Sequence, residues 1–479
     1  MWRPLAWTAA LAIAASAIVG CSSGSTPADA PSAAPSSSPV TTAGAATARP
    51  ATTAPSGSST TAPGTGARWP TYNGTNARSG VGAAVPHPTS LATAWSAPVD
   101  GAVYGQPVVV GATVIAGTEH DSVYAFDLAS GAVRWHANVG TPVAGHDLPC
   151  GDISPLGITG TPAYDAATGS IFVVAETTGG VHDLVALDAA TGQVRWRTNL
   201  DVSGRNRIAE QQRGALAVAN GRVYVPFGGL YGDCGNYVGY VTATPTTGTG
   251  ATTWYAVPTP REGGIWATSG PAIAADGTVY VAVGNGASTG GAYDGSDAVL
   301  RLAPDLSSRV DFFAPAAWAE QNAGDTDLGS TGPVLLGSGL VVQSGKDGHV
   351  YVLDASHLGG IGHPRAEAGG CSGFGGMAAD GSAVFVPCTS GVRRFDVTAT
   401  SVRLRWSAPS TGPPTIGGGA VWSLDTGSGV LHAYDEETGR ALASTHVGAV
   451  TRFTAPVPIG PAVVVGTRTA VVAVRVRGT

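Results

Sequence analysis

Short runs of alternating apolar and polar residues recur along most of the chain, and each closes on an Asp or Gly turn. Val123-Tyr124-Ala125-Phe126-Asp127 leads to Gly131 and Trp135, and Val185-Ala186-Leu187-Asp188 leads to Gly192 and Trp196, with the same offsets from the Asp. A degraded copy has Gly250 and Trp254. Others are Val299 to Leu302, His349 to Asp354, Val392 to Asp396 with Trp406, Leu431 to Asp435 with Gly439, and Val471 to Val474. A period of two predicts half-buried strands bounded by turns, and no stretch shows helical periodicity. Between copies lie further strand-like runs, such as Thr278 to Val283 after Asp276-Gly277. About four short strands per unit make a propeller blade. Eight copies over residues 67–479 give roughly 52 residues each. The expectation is an all-β, eight-bladed β-propeller, or a seven-bladed one if a degraded copy is an insertion.

The last copy has no outer strand of its own, whereas Leu91 to Trp95 is an outer strand with no preceding copy. That N-terminal strand is expected to complete the last blade and so remove the exposed sheet edges.

The remainder of the chain has a different character. Leu5 to Val19 is an apolar run too short to span a bilayer comfortably, and it ends in Ile18-Val19-Gly20-Cys21. This looks like a lipobox, so residues 1–20 read as a lipoprotein signal peptide and Cys21 as the lipidated residue. Residues 21–66 are nearly all Ser, Thr, Ala, Pro and Gly, which suits a disordered tether. The expected location is the outer face of the cell membrane, with the lipid as the only anchor. A net charge of −7 with no basic block excludes a nucleic-acid surface. Lys346 is the only lysine, a bias towards Arg that fits a GC-rich genome.

Four cysteines remain after Cys21, an even number that in an exported chain reads as two disulfides. Cys371 and Cys388 flank a hairpin turning at Asp380-Gly381 and are paired together, which leaves Cys150 with Cys234. A metal site is the alternative, though no CxxC or HxxxH spacing supports it.

The pattern Tyr-Ala-x-Asp-x-x-Ser/Thr-Gly-x-x-x-Trp resembles the repeat of the pyrroloquinoline-quinone (PQQ) dehydrogenases and of their non-enzymatic propeller relatives, including the lipoprotein of outer-membrane protein assembly. Trp69-Pro70 with Asn76 and Arg78 is similar to the usual N-terminal opening of such propellers. The resemblance implies a site for PQQ, usually with Ca²⁺. Gly263-Gly264-Ile265-Trp266 and Gly284-Asn285-Gly286 would supply a stacking Trp266 and a Ca²⁺-ligating Asn285. Lys346, after the acidic Asp325 and Asp327, would contact the quinone. Asp294 or Asp297 would serve as the catalytic base. Each has a bland alternative: Trp266 as packing between blades, the Gly-Asn-Gly as a turn, Lys346 as a solvated hairpin, and the two Asp as surface carboxylates.

Other positions depart from the family pattern. In Cys150-Gly151-Asp152-Ile153-Ser154-Pro155-Leu156-Gly157, Gly151 replaces the second Cys of a vicinal disulfide and Leu156 replaces an Arg. Only Asp233 stands near the place of the Glu metal ligand. No CxxCH haem motif occurs, nor a triad spacing that would support a hydrolase. These losses favour a binding or scaffold module whose axial face holds a protein, a polymer or a small ligand. The alternative is a PQQ- and Ca²⁺-dependent dehydrogenase oxidising an alcohol or sugar. A role in envelope-protein assembly rests on fold analogy alone.

Overall fold

Eight sheets of four or five strands, antiparallel except for one short parallel pair at the edge of the fourth, follow one another in the computed structural model, which describes residues 67–478. The signal peptide, Cys21 and the tether lie outside the described residues. Blades 1 to 8 run from inner to outer strand over residues 108–138, 163–199, 217–256, 272–314, 334–369, 378–408, 415–446 and 457–478. The eighth is finished by the N-terminal strand Pro88–Pro98, which pairs antiparallel with Ala470–Gly478, as the orphaned strand predicts.

The Gly and Trp of each repeat have one job between them. Gly131, Gly192 and Gly439 all adopt positive φ, and a Cβ on any of them would lie within 2.7 Å of the indole of the preceding blade's Trp95, Trp135 or Trp406. Each of these indoles also donates its N–H to a carbonyl in the turn beside that glycine: Leu128, Ala189 and Glu436, at 2.9, 3.1 and 3.0 Å. In the degraded copy the docking glycine is Gly248, against Trp196, and not Gly250. Trp254 then has no glycine turn to enter in blade 4 and is 47% exposed. The single α-helix among the described residues, Trp318–Gly324, sits in the connector between blades 4 and 5, where strand periodicity gives no hint of it.

The axis is closed at one end by the segment just ahead of the rim strand. Between Pro70 and Ala83 the backbone accepts N–H groups from Tyr164, Ile273, Leu335, Ala379, Ile416 and Gly460, in blades 2, 4, 5, 6, 7 and 8. Thr71 donates its hydroxyl to Leu216 O beside blade 3, and Asn73 N–H donates to Gln106 Oε1 beside blade 1. One residue, Arg78, ties this collar together from within. Its buried guanidinium donates to Thr71 Oγ1, Tyr72 O and Pro271 O at 2.8, 3.1 and 2.7 Å.

Both expected disulfides form, Cys150–Cys234 and Cys371–Cys388. The first joins the connector after blade 1 to the loop between the second and third strands of blade 3. The second staples the start of blade 6 to the end of its second strand.

Arg78→Leu should lower the denaturant midpoint markedly, because each buried acceptor it strands costs about 1–3 kcal/mol. Arg134→Leu, which breaks an exposed ion pair with Asp127, should stay within about 1 kcal/mol of the parent. Equal effects from the two would show that the collar does not bear on stability.

Candidate functional site

Because the collar seals one end, the axial space on the opposite side is a blind cavity of about 470 Å³, inside the range of about 300–1,000 Å³ usual for small-molecule sites. Trp266, Asn285 and Lys346 all line it, so the three residues singled out by the sequence converge. Trp266 is half-buried and precedes blade 4. Its indole is let in by Gly284, where a Cβ would lie 2.8 Å from the indole nitrogen. Gly284 and its neighbours Asn285 and Gly286 all have negative φ, so the turn reading of this segment fails. The glycines serve close approach, to Trp266 and to Ser296. The helix holds the Asn285 segment in place: Asn322 Oδ1 accepts Gly286 N–H at 2.6 Å and its amide donates to Ser288 O.

Lys346 sits on the hairpin tip of blade 5, yet only 20% of its side chain is exposed. Nζ donates to Asp325 Oδ1 at 2.6 Å and pairs with Asp327 Oδ2 at 3.0 Å, and it lies 5.5 Å from the centre of the Trp266 ring. Burial disfavours its charge, but Asp327 and Asp325 outweigh that and raise its pKa. Asp327 is 1% exposed, and burial pushes its carboxyl up to about 6 against the opposing pull of Lys346. Its Oδ1 has no hydrogen-bond partner.

The catalytic candidates named from sequence fall elsewhere, since neither Asp294 nor Asp297 is among the cavity's lining residues. Asp294 accepts from Thr259 and Ser296 and braces a loop, and Asp297 accepts Leu328 N–H from within the wall. Asp327 is the buried one of the two acids beside Lys346, and in the sequence nothing but an acidic stretch marks it.

Sequence reasoning also missed the cavity's other cations, Arg213, Arg452 and Arg468. Arg213 lies 6.0 Å from the Trp266 ring centre and 5.7 Å from that of Phe453, and Arg452 lies 4.0 Å from that of Phe374. A positional signal marks several of these groups. Tyr104, Arg213, Phe374 and Phe453 each stand four residues before the innermost strand of a blade, at 108, 217, 378 and 457.

The residues present fit a planar, polyanionic quinone in part. Trp266 offers a flat face with Lys346 and Arg213 close to it, and Arg452 and Arg468 could meet carboxylates, while Asp152, Asp233, Asp325 and Asp327 line the same cavity and oppose negative charge. The metal half fits less well. Asn285 lines the cavity together with Asp233, whose Oδ1 accepts the Tyr237 hydroxyl at 2.5 Å. Among the described residues no group of three or more His, Cys, Asp or Glu side chains is arranged to hold an ion.

The chain is an eight-bladed β-propeller, and part of it is similar to propellers of the PQQ-repeat type. Residues 89–228 and 119–299 match the family described as outer membrane protein assembly factor BamB. A polyvinylalcohol dehydrogenase of a Pseudomonas species is 26% identical over 353 residues, 64% of this chain and 52% of that one. The chain thus spans about half the length of this curated relative. The quinohemoprotein alcohol dehydrogenase of Comamonas testosteroni superposes with a TM-score of 0.67 at 18% identity, covering 86% of this chain and 81% of that one. BamB of Moraxella catarrhalis superposes with a TM-score of 0.58 at 17% identity, covering 80% and 99%.

Behind Arg213 the walls of blades 1 and 2 bury a set of acids. Burial pushes Glu119 and Asp121 up to about 8 each. His182 lies between Glu176 at 3.3 Å and Asp201 at 2.9 Å; burial lowers its pKa, but the two carboxylates prevail and raise it to about 10. Glu119 and Asp121 hold protons in the folded state that the unfolded chain releases near pH 4, so stability falls as pH rises from there to about 8. The imidazolium of His182 adds stability below its unfolded value and loses it as pH rises towards about 10, a slope of the same sign. The denaturant midpoint should therefore drop between about pH 5 and about pH 9, and less steeply in Glu119→Gln. A midpoint that climbs over this range would contradict the assignment.

Proposed function

We propose that the axial cavity binds PQQ and that the protein is a dehydrogenase oxidising an alcohol outside the cytoplasm, anchored through Cys21. The observation that carries this reading is the convergence of Trp266, Lys346 and Asp327 with three arginines in one blind cavity. The alcohol and polyvinylalcohol dehydrogenases among the similar proteins support it.

PQQ, if bound, would supply a two-electron acceptor for the hydride equivalent of a carbinol carbon. Trp266 would offer a flat face to its ring system. Half-buried Arg213, with Arg452 and Arg468 at the exposed mouth, would balance its carboxylates. Asp327, which lines the cavity, would take the hydroxyl proton, and Lys346 on Oδ2 favours the ionised carboxylate. No step here is routed through a metal.

A second reading is favoured by Gly151 and Leu156, which stand where the family places a Cys and an Arg. It is a non-catalytic module that binds a protein, polymer or small ligand at the same face.

Titration of PQQ into the protein should quench Trp fluorescence, with the quenching persisting in EDTA and lost in Trp266→Ala and Lys346→Ala. Asp327→Asn should keep the quenching while alcohol oxidation with an artificial acceptor falls by about 10²–10⁴-fold. Absence of quenching at PQQ excess would reject the dehydrogenase in favour of the binding module.

A further inference from the structure

The charges of the axial cavity are sorted by side. Arg452 and Arg468 come from the connector before blade 8 and from its hairpin, and neither pairs with a carboxylate among the described residues. Across the ring, at blades 3 to 5, Asp233, Asp325 and Asp327 line the same cavity. Asp152 and Arg213, from the connectors after blades 1 and 2, fall between these sides in ring order.

The negative side is short of cations. Lys346 serves both Asp325 and Asp327. Arg261 pairs with the neighbouring Glu262, and its other terminal nitrogen donates to the carbonyls of Asp233 and Gly235. The carboxylate of Asp233 is left without an ion pair among the described residues: Oδ1 accepts the Tyr237 hydroxyl, and Oδ2 accepts nothing. Asp233 is half-buried and the side chain of Asp325 is 69% exposed, so a molecule in the cavity reaches both. The crowding of like charge is felt further in. Burial is the larger cause, but Asp233 and Asp325 help to raise the Glu262 carboxyl against Arg261, and they also push Asp327 up against Lys346. A cleft lined by one sign of charge concentrates its field on whatever enters. On the same wall the ring of Tyr231 is 65% exposed, a face of the kind that attracts organic ammonium groups.

We infer that this side of the cavity is a site for an organic ammonium group, so that the substrate is an amino alcohol whose cation meets Asp233 and Asp325 beside Tyr231 while its carbinol faces Asp327. The carbinol half of the inference rests on the reading of the axial cavity as the place of alcohol oxidation; the ammonium site stands on the uncompensated carboxylates alone.

Calorimetric titration of the full chain without PQQ tests it, using choline and, beside it, dimethylbutanol, the uncharged isostere in which carbon replaces the nitrogen. Choline should bind at least about tenfold more tightly than the isostere, and added salt should narrow the gap. Asp233→Asn keeps an oxygen for the Tyr237 hydroxyl and should cost choline about tenfold in affinity with thermal melting unchanged; Asp325→Asn, at the exposed rim, should act in the same direction. In the PQQ-loaded protein the ratio of kcat/KM for choline to that for the isostere should fall about tenfold in Asp233→Asn. Equal affinities for the two probes, or a choline affinity indifferent to both substitutions, would each overturn the proposal. The titration uses no cofactor, so a failure to bind PQQ would strike the dehydrogenase reading alone, and a failure to prefer choline would strike the ammonium site alone.

Discussion

A four-stranded blade cannot bury both of its faces by itself, and a ring of such blades is held only if it is closed at every radius. Two consecutive stretches of the N-terminal region do this. The strand Pro88–Pro98 completes the eighth sheet at the rim, and Trp95 enters the turn at Gly131 of the first blade, so the seam is docked as the other blades are. Nearer the axis, residues 70–83 offer a hydrogen bond to one blade after another around the circle. Arg78 makes that possible: its guanidinium satisfies carbonyls that belong to the collar and to the ring alike. A buried arginine is an expensive way to join two parts unless nearly every donor finds a partner, and here they do.

Sealing one end gives the other its chemistry. A channel open at both ends would let water screen charges along its length, whereas the blind cavity keeps Asp327 and Lys346 in a poorly hydrated corner, where their interaction is strong. The Cys150–Cys234 bridge contributes from the side. Its first cysteine occupies the segment that in the PQQ dehydrogenases carries a vicinal disulfide, but its partner lies 84 residues away in blade 3. The bond therefore braces two loops of the wall, with Val143, Ile153, Leu156 and Leu230 packed against them. Leu156, in the place of an Arg, is part of that apolar packing, so its role has become structural.

The blades were legible because their signal is local. Alternation, an Asp-Gly turn and a Trp at a fixed offset lie within about a dozen residues, and only the degraded third copy misplaced its glycine. Trp266, Asn285 and Lys346 could be found because each sits in a motif. Arg213, Arg452 and Arg468 could not, because they share a site only once loops from different blades meet at the axis. The regular placing of Tyr104, Arg213, Phe374 and Phe453 shows that part of this was written in the chain, as a rule about position. Asp294 and Asp297 misled for the opposite reason. Their place after the Asn285 segment suggested a base, although the spacing needed a gap, and hydrogen bonds from Thr259, Ser296 and Leu328 keep them inside the wall.

The seam of the ring joins two strands that lie about 380 residues apart in the chain. Residues 88–98 have nothing to pair against until Ala470–Gly478 has been made. Closure is therefore a test of completeness: a chain lacking this one strand would keep two open edges, free to pair with other chains.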